Sequence, residues 1–274
     1  MTRNADTETP GAEVEGGSVL EKTLALVRHL RAHCPWDRKQ TAESLVPHLL
    51  EEAAEVAQAV SEGSDEELAG ELGDLLLNLA FQIVVGQEAG RFTCEDVFGR
   101  LEAKMIRRHP HVWGDETAAA AGPAAWERRK ATERSAEESA LAGIAQGLDP
   151  LTRSYRMQEK AAVVGFDWDD WQGAFDKCDE EMEEVREAVD DGPASAVESE
   201  LGDLLFAVVN LARLLGVHPT VALARANRRF RERFQAMEAL AVERGIAMPE
   251  AGLVLLDSLW DEVKRARRSA DQAR

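Results

Sequence analysis

The chain has 274 residues, of which 45% are hydrophobic and 30% charged, and its formal net charge is -19. That length admits one large or two ordinary domains, and the apolar share is enough to build a core. The negative charge excludes a general affinity for DNA or RNA, whose phosphates such a surface repels.

Residues 1–18 are polar, acidic and glycine-containing, and read as a disordered tail rather than a secretory signal. No run approaches the roughly 18 apolar residues of a membrane helix, so no membrane partner is expected. Strand signals are sparse and helical periodicity is common. Leu20, Leu24, Val27 and Leu30 fit one helix that ends near Cys34-Pro35. A second helix is predicted from about Leu45 to Val60, with Pro47 in its first turn, where a missing N–H costs nothing. Residues 61–64 form a turn. A third helix follows from about Glu66 to Gly86 and a fourth from about Cys94 to Arg108, and Pro110, Gly114 and Pro123 end the unit.

Residues 114–150 read as an irregular segment and a helix, leading into a linker around Gly147-Leu148-Asp149-Pro150. A second unit opens near Gly165-Phe166-Asp167-Trp168, with helices expected over 172–190, 195–215, 219–244 and 252–267. The order helix, turn, helix, helix thus recurs. The expectation is an all-α chain of two tandem helical bundles: a tail over 1–18, a first domain over 19–135, a linker over 136–152 and a second domain over 153–268. Three cysteines, Cys34, Cys94 and Cys178, include no CxxC pair. They argue against disulfides and a zinc–thiolate site and fit a reducing cytoplasm.

The duplicated feature is acidic. Glu51-Glu52-Ala53-Ala54-Glu55 precedes Glu71-Leu72-Gly73-Asp74, and Glu180-Glu181-Met182-Glu183-Glu184 precedes Glu200-Leu201-Gly202-Asp203. From the first glutamate to the Glu-Leu-Gly-Asp block is 20 residues in both copies. Residues three apart share a helix face, so Glu52 pairs with Glu55 and Glu71 with Asp74, as Glu181 does with Glu184 and Glu200 with Asp203. Asn78 and Asn210 continue the same stripes. The short turn between the helices makes them antiparallel neighbours, and the pairs face one another. Leucines surround the acids, so the helices are largely buried. Two like charges ~5 Å apart repel by roughly 3 kcal/mol at an effective dielectric near 20. Such a group either protonates or takes up a cation, and hard oxygen ligands suit Mg²⁺. A lone Glu-x-x-Glu in a chain with 51 acidic residues is usually a solvated helix face. The duplication with identical spacing favours metal.

Each copy also carries cations. Lys104 and Arg108 share a face by their i, i+4 spacing, as do Arg229 and Arg233, and guanidinium forks suit phosphate oxygens. The plainer reading is that basic residues near a helix end complement its dipole. Trp126 and Trp260 recur after the two acidic–basic blocks, each either stacking on a base or closing its domain as a hydrophobic clamp. His109 and His111 have no counterpart in the second copy, which points to a local structural role.

Cys34-Pro35-Trp36-Asp37, the two acidic blocks, Arg107-Arg108-His109-Pro110-His111-Val112, Gly165-Phe166-Asp167-Trp168 and Ala226-Asn227-Arg228-Arg229-Phe230 together resemble the MazG family of nucleoside triphosphate pyrophosphohydrolases. The resemblance covers about residues 20–268, including the tandem arrangement. It implies all-α bundles of the MazG type, usually dimeric, and Mg²⁺-dependent hydrolysis of a nucleoside triphosphate to monophosphate and pyrophosphate, with Mn²⁺ as a substitute ion. It also implies that Glu52, Glu55, Glu71 and Asp74, and Glu181, Glu184, Glu200 and Asp203, ligate metal and make up the catalytic sets. Arg229 and Arg233 would contact the triphosphate and Trp260 would lie near the base. By the internal repeat, Lys104, Arg108 and Trp126 are the substrate-binding candidates of the first copy. The expected partners are a nucleoside triphosphate and a second copy of the chain. The second copy, with its fuller cation set, is the preferred active site, and Glu51 or Glu180 is a candidate for orienting water. Two rivals are weighed. A di-iron carboxylate bundle needs Glu-x-x-His, which no histidine here satisfies. A non-catalytic, metal-stabilised helical dimerisation scaffold would bind the ion without turnover.

Overall fold

Three helices begin on the same device. Ser18, Ser64 and Thr93 each accept a hydrogen bond from the backbone N–H three residues on, and Glu21, Glu67 and Asp96 reach back to the cap's own N–H. Each box satisfies two donors that a helix start leaves orphaned. These caps start α1 (Val19–His33), α3 (Asp65–Glu88) and α4 (Cys94–Arg108). Between them α2 (Val46–Glu62) carries Pro47 in its first turn and stops at Gly63, and α5 (Pro110–Trp113) follows α4. The computed structural model describes residues 17–114, 122–132 and 139–272, and every regular element among them is helical. The chain divides into two compact units between Ala119 and Ala120.

In the first unit α2 and α3 pack side by side across their two-residue connection, so they run antiparallel, and α1 lies on α3. The periodic apolar residues meet there. Leu24 and Val27 of α1, Leu45, and Ala80, Phe81, Val84 and Val85 of α3 form one buried cluster. Arg31 closes its end. Its Nε and Nη2 donate to the Glu88 carboxylate at 2.6–3.1 Å, and its Nη1 donates to the carbonyls of Asp37 and Gln40 at 2.7 and 3.0 Å. The guanidinium holds the Glu88 carboxyl below its ordinary pKa. By contrast, α4 buries none of its residues, and Val97, Phe98, Leu101 and Ile106 stand exposed along it.

The second unit contains α6 (Pro123–Thr132), α7 (Pro150–Val163), α8 (Trp171–Asp191), α9 (Ala194–Leu214), α10 (Pro219–Glu243) and α11 (Gly252–Gln272). Here α8 pairs with α9, and α7 lies on α9 as α1 lies on α3. The α10–α11 pair has a core of its own, formed by Met237, Ala241, Leu259 and Val263, and α10 also touches α7 and α9.

Four expectations need adjustment. The repeat includes α7, the counterpart of α1, where the sequence reading placed the end of a linker and no helix. Its signal is Asp149-Pro150: the Asp149 carboxylate accepts from the Thr152 N–H at 3.1 Å, and proline suits the first helical position. Residues 123–132 were assigned to the first domain, yet α6 packs on α7. There the buried Glu127 accepts from Arg156 at 2.7 Å and meets Lys130 at 3.6 Å. The tail expected over 1–18 lies outside the described residues except for its last two, of which Ser18 is the cap of α1. Finally, α3 is long and apolar enough to cross a membrane by length and composition, which was not expected. In the fold it is the helix shared by α1 and α2.

Because Phe81 is 5% exposed within the α1–α3 cluster, Phe81→Ala is expected to cost about 3–5 kcal/mol. Urea denaturation followed by far-ultraviolet circular dichroism would read the loss as a lowered midpoint.

Candidate functional site

Helix geometry assembles the acids of the first unit. Glu52 and Glu55 sit one turn apart on α2, and Glu71 lies across from them on α3. One carboxylate oxygen from each lies within 4.8 Å of the others. Desolvation, then the negative charges of Asp74, Glu55 and Glu71, push the Glu52 carboxyl up from its ordinary pKa. Asp74 therefore acts on the group electrostatically while standing outside the tightest three. Asn78 is buried, and its Nδ2 donates to the Asp74 carbonyl at 3.3 Å, which ties it to its own helix. A cavity of about 340 Å³ adjoins the cluster, lined by Glu55, Gln58, Ala59, Gly63, Glu67 and Glu71.

The second unit repeats the triad with Glu181, Glu184 and Glu200, again within 4.8 Å. Its environment differs. Glu181 is only 5% exposed, and its Oε2 is buried with no hydrogen-bond partner. Its Oε1 meets the Lys177 ammonium at 2.8 Å, and Lys177 also donates to Glu180 at 2.8 Å. Those two carboxylates, Glu180 first, raise the Lys177 pKa and keep it charged. A hydrogen bond with Glu181 is the main cause that pushes the Glu184 carboxyl up. A site that gathers three carboxylates, and still leaves a buried carboxylate oxygen without a donor, lacks positive charge. Its donor set is all hard oxygen, which fits Mg²⁺.

Asp203 belongs with this group through the space it borders. A cavity of about 740 Å³ opens between α7, α8 and α9, and Lys177, Glu181 and Asp203 line it together with apolar residues such as Met157, Phe206 and Trp168. That volume lies in the range of small-molecule sites. The first unit fills the corresponding space. Phe81 lies seven residues beyond Asp74 on α3, as Asn210 lies seven beyond Asp203 on α9, and Val84 likewise corresponds to Arg213. Phe81 and Val84 are core residues, whereas Asn210 and Arg213 line the cavity. Ahead of the acids, His48 stands where the second unit has Lys177, and its Nδ1 is 3.9 Å from Glu51.

The remaining predicted residues are more scattered. Lys104 and Arg108 ride on α4, whose main contacts are with α5. Arg229 and Arg233 lie on α10, and the Arg233 Nε is buried without a partner. Trp260 packs against the α10–α11 core, its ring 5.3 Å from that of Phe230. That is the clamp geometry weighed as the alternative to base stacking. Neither arginine nor Trp260 lines the large cavity. Trp126 is half-buried on α6 and belongs with the second unit, not with the first acidic cluster. His109 donates from Nδ1 to the Met105 carbonyl at 2.7 Å, in keeping with a local role at the end of α4. Sequence reasoning missed Lys177 and Gln158. The first had a legible signal, a lysine four residues before Glu181 on one helix face. The second had none, because nothing in the sequence announced α7 as a wall of the site.

Comparison with known proteins places the two clusters within matching regions. A family model described as the MazG nucleotide pyrophosphohydrolase domain matches residues 40–113 and 176–236, one stretch across each triad. A Thermotoga maritima protein named nucleoside triphosphate pyrophosphohydrolase/pyrophosphatase MazG is 42% identical over 253 residues, covering 91% of this chain and 97% of that protein. The Escherichia coli nucleoside triphosphate pyrophosphohydrolase is 40% identical over 257 residues, covering 90% of this chain and 97% of its own. An uncharacterised Bacillus subtilis protein, YabN, is 38% identical over 250 residues but is only 51% covered. With relatives matched at this identity over nearly their whole length, the chain belongs to the MazG nucleotide pyrophosphohydrolase family.

Proposed function

We propose that the protein hydrolyses nucleoside triphosphates to nucleoside monophosphate and pyrophosphate, with the second unit as its main active site. The names of the relatives support the reaction. The observation that carries the choice of unit is the Glu181–Glu184–Glu200 triad bordering a 740 Å³ cavity through Glu181. In the first unit, apolar core residues occupy the equivalent positions on α3.

Glu181, Glu184, Glu200 and Asp203 are the residues assigned to hold Mg²⁺ or Mn²⁺, and Glu52, Glu55, Glu71 and Asp74 are the corresponding set in the first unit. A divalent ion bound there supplies charge neutralisation for the phosphates and acidifies a water. The protein's part is to position the substrate and stabilise charge. Lys177 stands where the acids meet the cavity and is assigned to a phosphate oxygen. Glu180, on the far side of that ammonium, is the candidate for orienting water. Arg229 and Arg233 are assigned to the departing pyrophosphate, because α10 packs on α7 and α9, two walls of the cavity. Trp260 is assigned to the rim near the base, Lys104 and Arg108 to phosphate at the first cluster. Trp126, expected beside that cluster, keeps only its packing on the second unit.

The chain is read as two tandem MazG-type domains acting as a homodimer. Support for a second copy comes from α4, an amphipathic helix whose Val97, Phe98, Leu101 and Ile106 stand exposed among the described residues. The net charge of -19 supports the absence of a nucleic acid partner. Three free cysteines fit a reducing cytoplasm.

Pyrophosphate release from mixed nucleoside triphosphates with Mg²⁺ tests the reaction. Glu200→Gln is expected to lower it by about 100-fold or more, while Glu71→Gln leaves most of it. Full activity in Glu200→Gln would overturn the choice of unit, and no release from the unaltered protein would favour the scaffold alternative. Independently of turnover, Mg²⁺ at a hundredfold excess over Kd is expected to raise Tm by about 5–10 °C. Glu200→Gln and Glu71→Gln should each reduce that rise in differential scanning calorimetry. For the dimer, Phe98→Glu is expected to shift sedimentation towards the monomer, and an unchanged dimer would show that α4 is not its interface.

A further inference from the structure

The large cavity of the second unit contains more than apolar walls. Arg213 donates from Nε and Nη2 to the Asn210 Oδ1 at 3.0 and 2.8 Å, and its guanidinium also pairs with the Asp167 carboxylate. The oxygen of the Asn210 amide is therefore committed, and the amide is fixed in one orientation. Its NH₂ is the donor left over, at the cavity wall. Gln158 gives the reverse arrangement. Its Nε2 donates to the Phe206 carbonyl at 2.8 Å, and its Oε1 is buried with no partner. Gln158 as a whole is only 7% exposed. An unpaired buried amide oxygen is costly and uncommon in a folded protein. Both residues line the cavity, and among the described residues each amide keeps one group without a partner, the Asn210 NH₂ and the Gln158 oxygen. Phe166 and Trp168 line the same cavity with 83% and 48% of their surface exposed, unlike rings that serve only a packed core. A flat ring with hydrogen-bonding edges is the ligand that such a set recognises: amides read the edge and aromatic faces take the plane.

We infer that this cavity takes the nucleobase of the substrate, and that the Asn210 amide, held by Arg213 and Asp167 and assisted by Gln158, selects among bases. The inference rests on the pyrophosphohydrolase reading above and names the part of the site that sets its specificity. The acids and Lys177 border the same cavity, so base and phosphates share one continuous site. Arg213 and Asp167 are positioning residues that act through Asn210. The first unit has Phe81 and Val84 at these positions and lacks the device.

The test is kcat/KM of the full-length protein for ATP, GTP, CTP and UTP with Mg²⁺, scored as pyrophosphate. The unaltered chain is compared with Asn210→Asp and Gln158→Leu. Asn210→Asp puts an acceptor where a donor stood, in nearly the same shape. The ratio between best and worst base is expected to change by about tenfold or more, with a new order among the four. Gln158→Leu removes the acceptor, and the spread should narrow. Arg213→Met should loosen discrimination in the same direction as Gln158→Leu, through KM more than kcat. An unchanged order and spread in both amide variants, whether activity holds or falls uniformly, overturns the inference and leaves the pyrophosphohydrolase reading standing. If Asn210→Asp fails to fold, as judged by its thermal melt, Gln158→Leu decides by the same criterion. Absence of pyrophosphate from all four substrates with the unaltered protein would instead remove the reading on which the inference rests.

Discussion

Repulsion among converging carboxylates is the constraint around which each unit is organised. Two antiparallel helices pair across a short turn with a third helix packed on one of them, and the pairing brings three glutamates within 4.8 Å. At that separation like charges oppose folding by a few kcal/mol per pair. In the first unit the buried α1–α3 cluster offsets this cost. In the second unit, part of the repulsion is also relieved by the Lys177 ammonium, 2.8 Å from Glu181. The hard divalent ion proposed above would be the stronger remedy. Stability is given up where the site needs charge, a common trade in active sites.

The two units show one scaffold filled in two ways. Their first three helices correspond in order and packing, α1 to α7, α2 to α8 and α3 to α9, and their acids correspond residue by residue. Yet Phe81 and Val84 close the first unit with apolar contacts, while Asn210 and Arg213 hold the second open with a hydrogen-bonded chain to Asp167. An apolar side chain at these positions gains burial. A polar one must find partners, and the partners it finds fix its orientation. The same two positions therefore give a core in one unit and an oriented amide on a cavity wall in the other. Fold alone would not have separated them.

Helix α4 is organised differently again. Its capping box and amphipathic pattern define a stable helix, and among the described residues Val97, Phe98, Leu101 and Ile106 stand exposed along it. A stripe of Val97, Phe98, Leu101 and Ile106 left in water forgoes burial worth about 1.5–3 kcal/mol for each side chain that becomes fully covered. That forgone burial is the physical basis for placing a second copy against this face.

Local periodicity made most of the helices legible. Pro47, the 61–64 turn and the leucine spacing gave α2 and α3 to within about two residues, because caps and helical faces are short-range properties. The acidic stripes were equally visible, since i, i+3 spacing and a short antiparallel turn together dictate that the pairs meet. What escaped the sequence was long-range. Nothing local said that α6 would join the second unit through Glu127 and Arg156, or that α7 would lie on α9. Nothing local said that Gln158 would spend its nitrogen on Phe206 and leave its oxygen bare. The acids could be read from a one-dimensional pattern because they lie on neighbouring helices. The cavity beside them could not, since its walls come from three helices and two loops. Whether such a space is packed or open depends on how side chains far apart in the chain find room for one another.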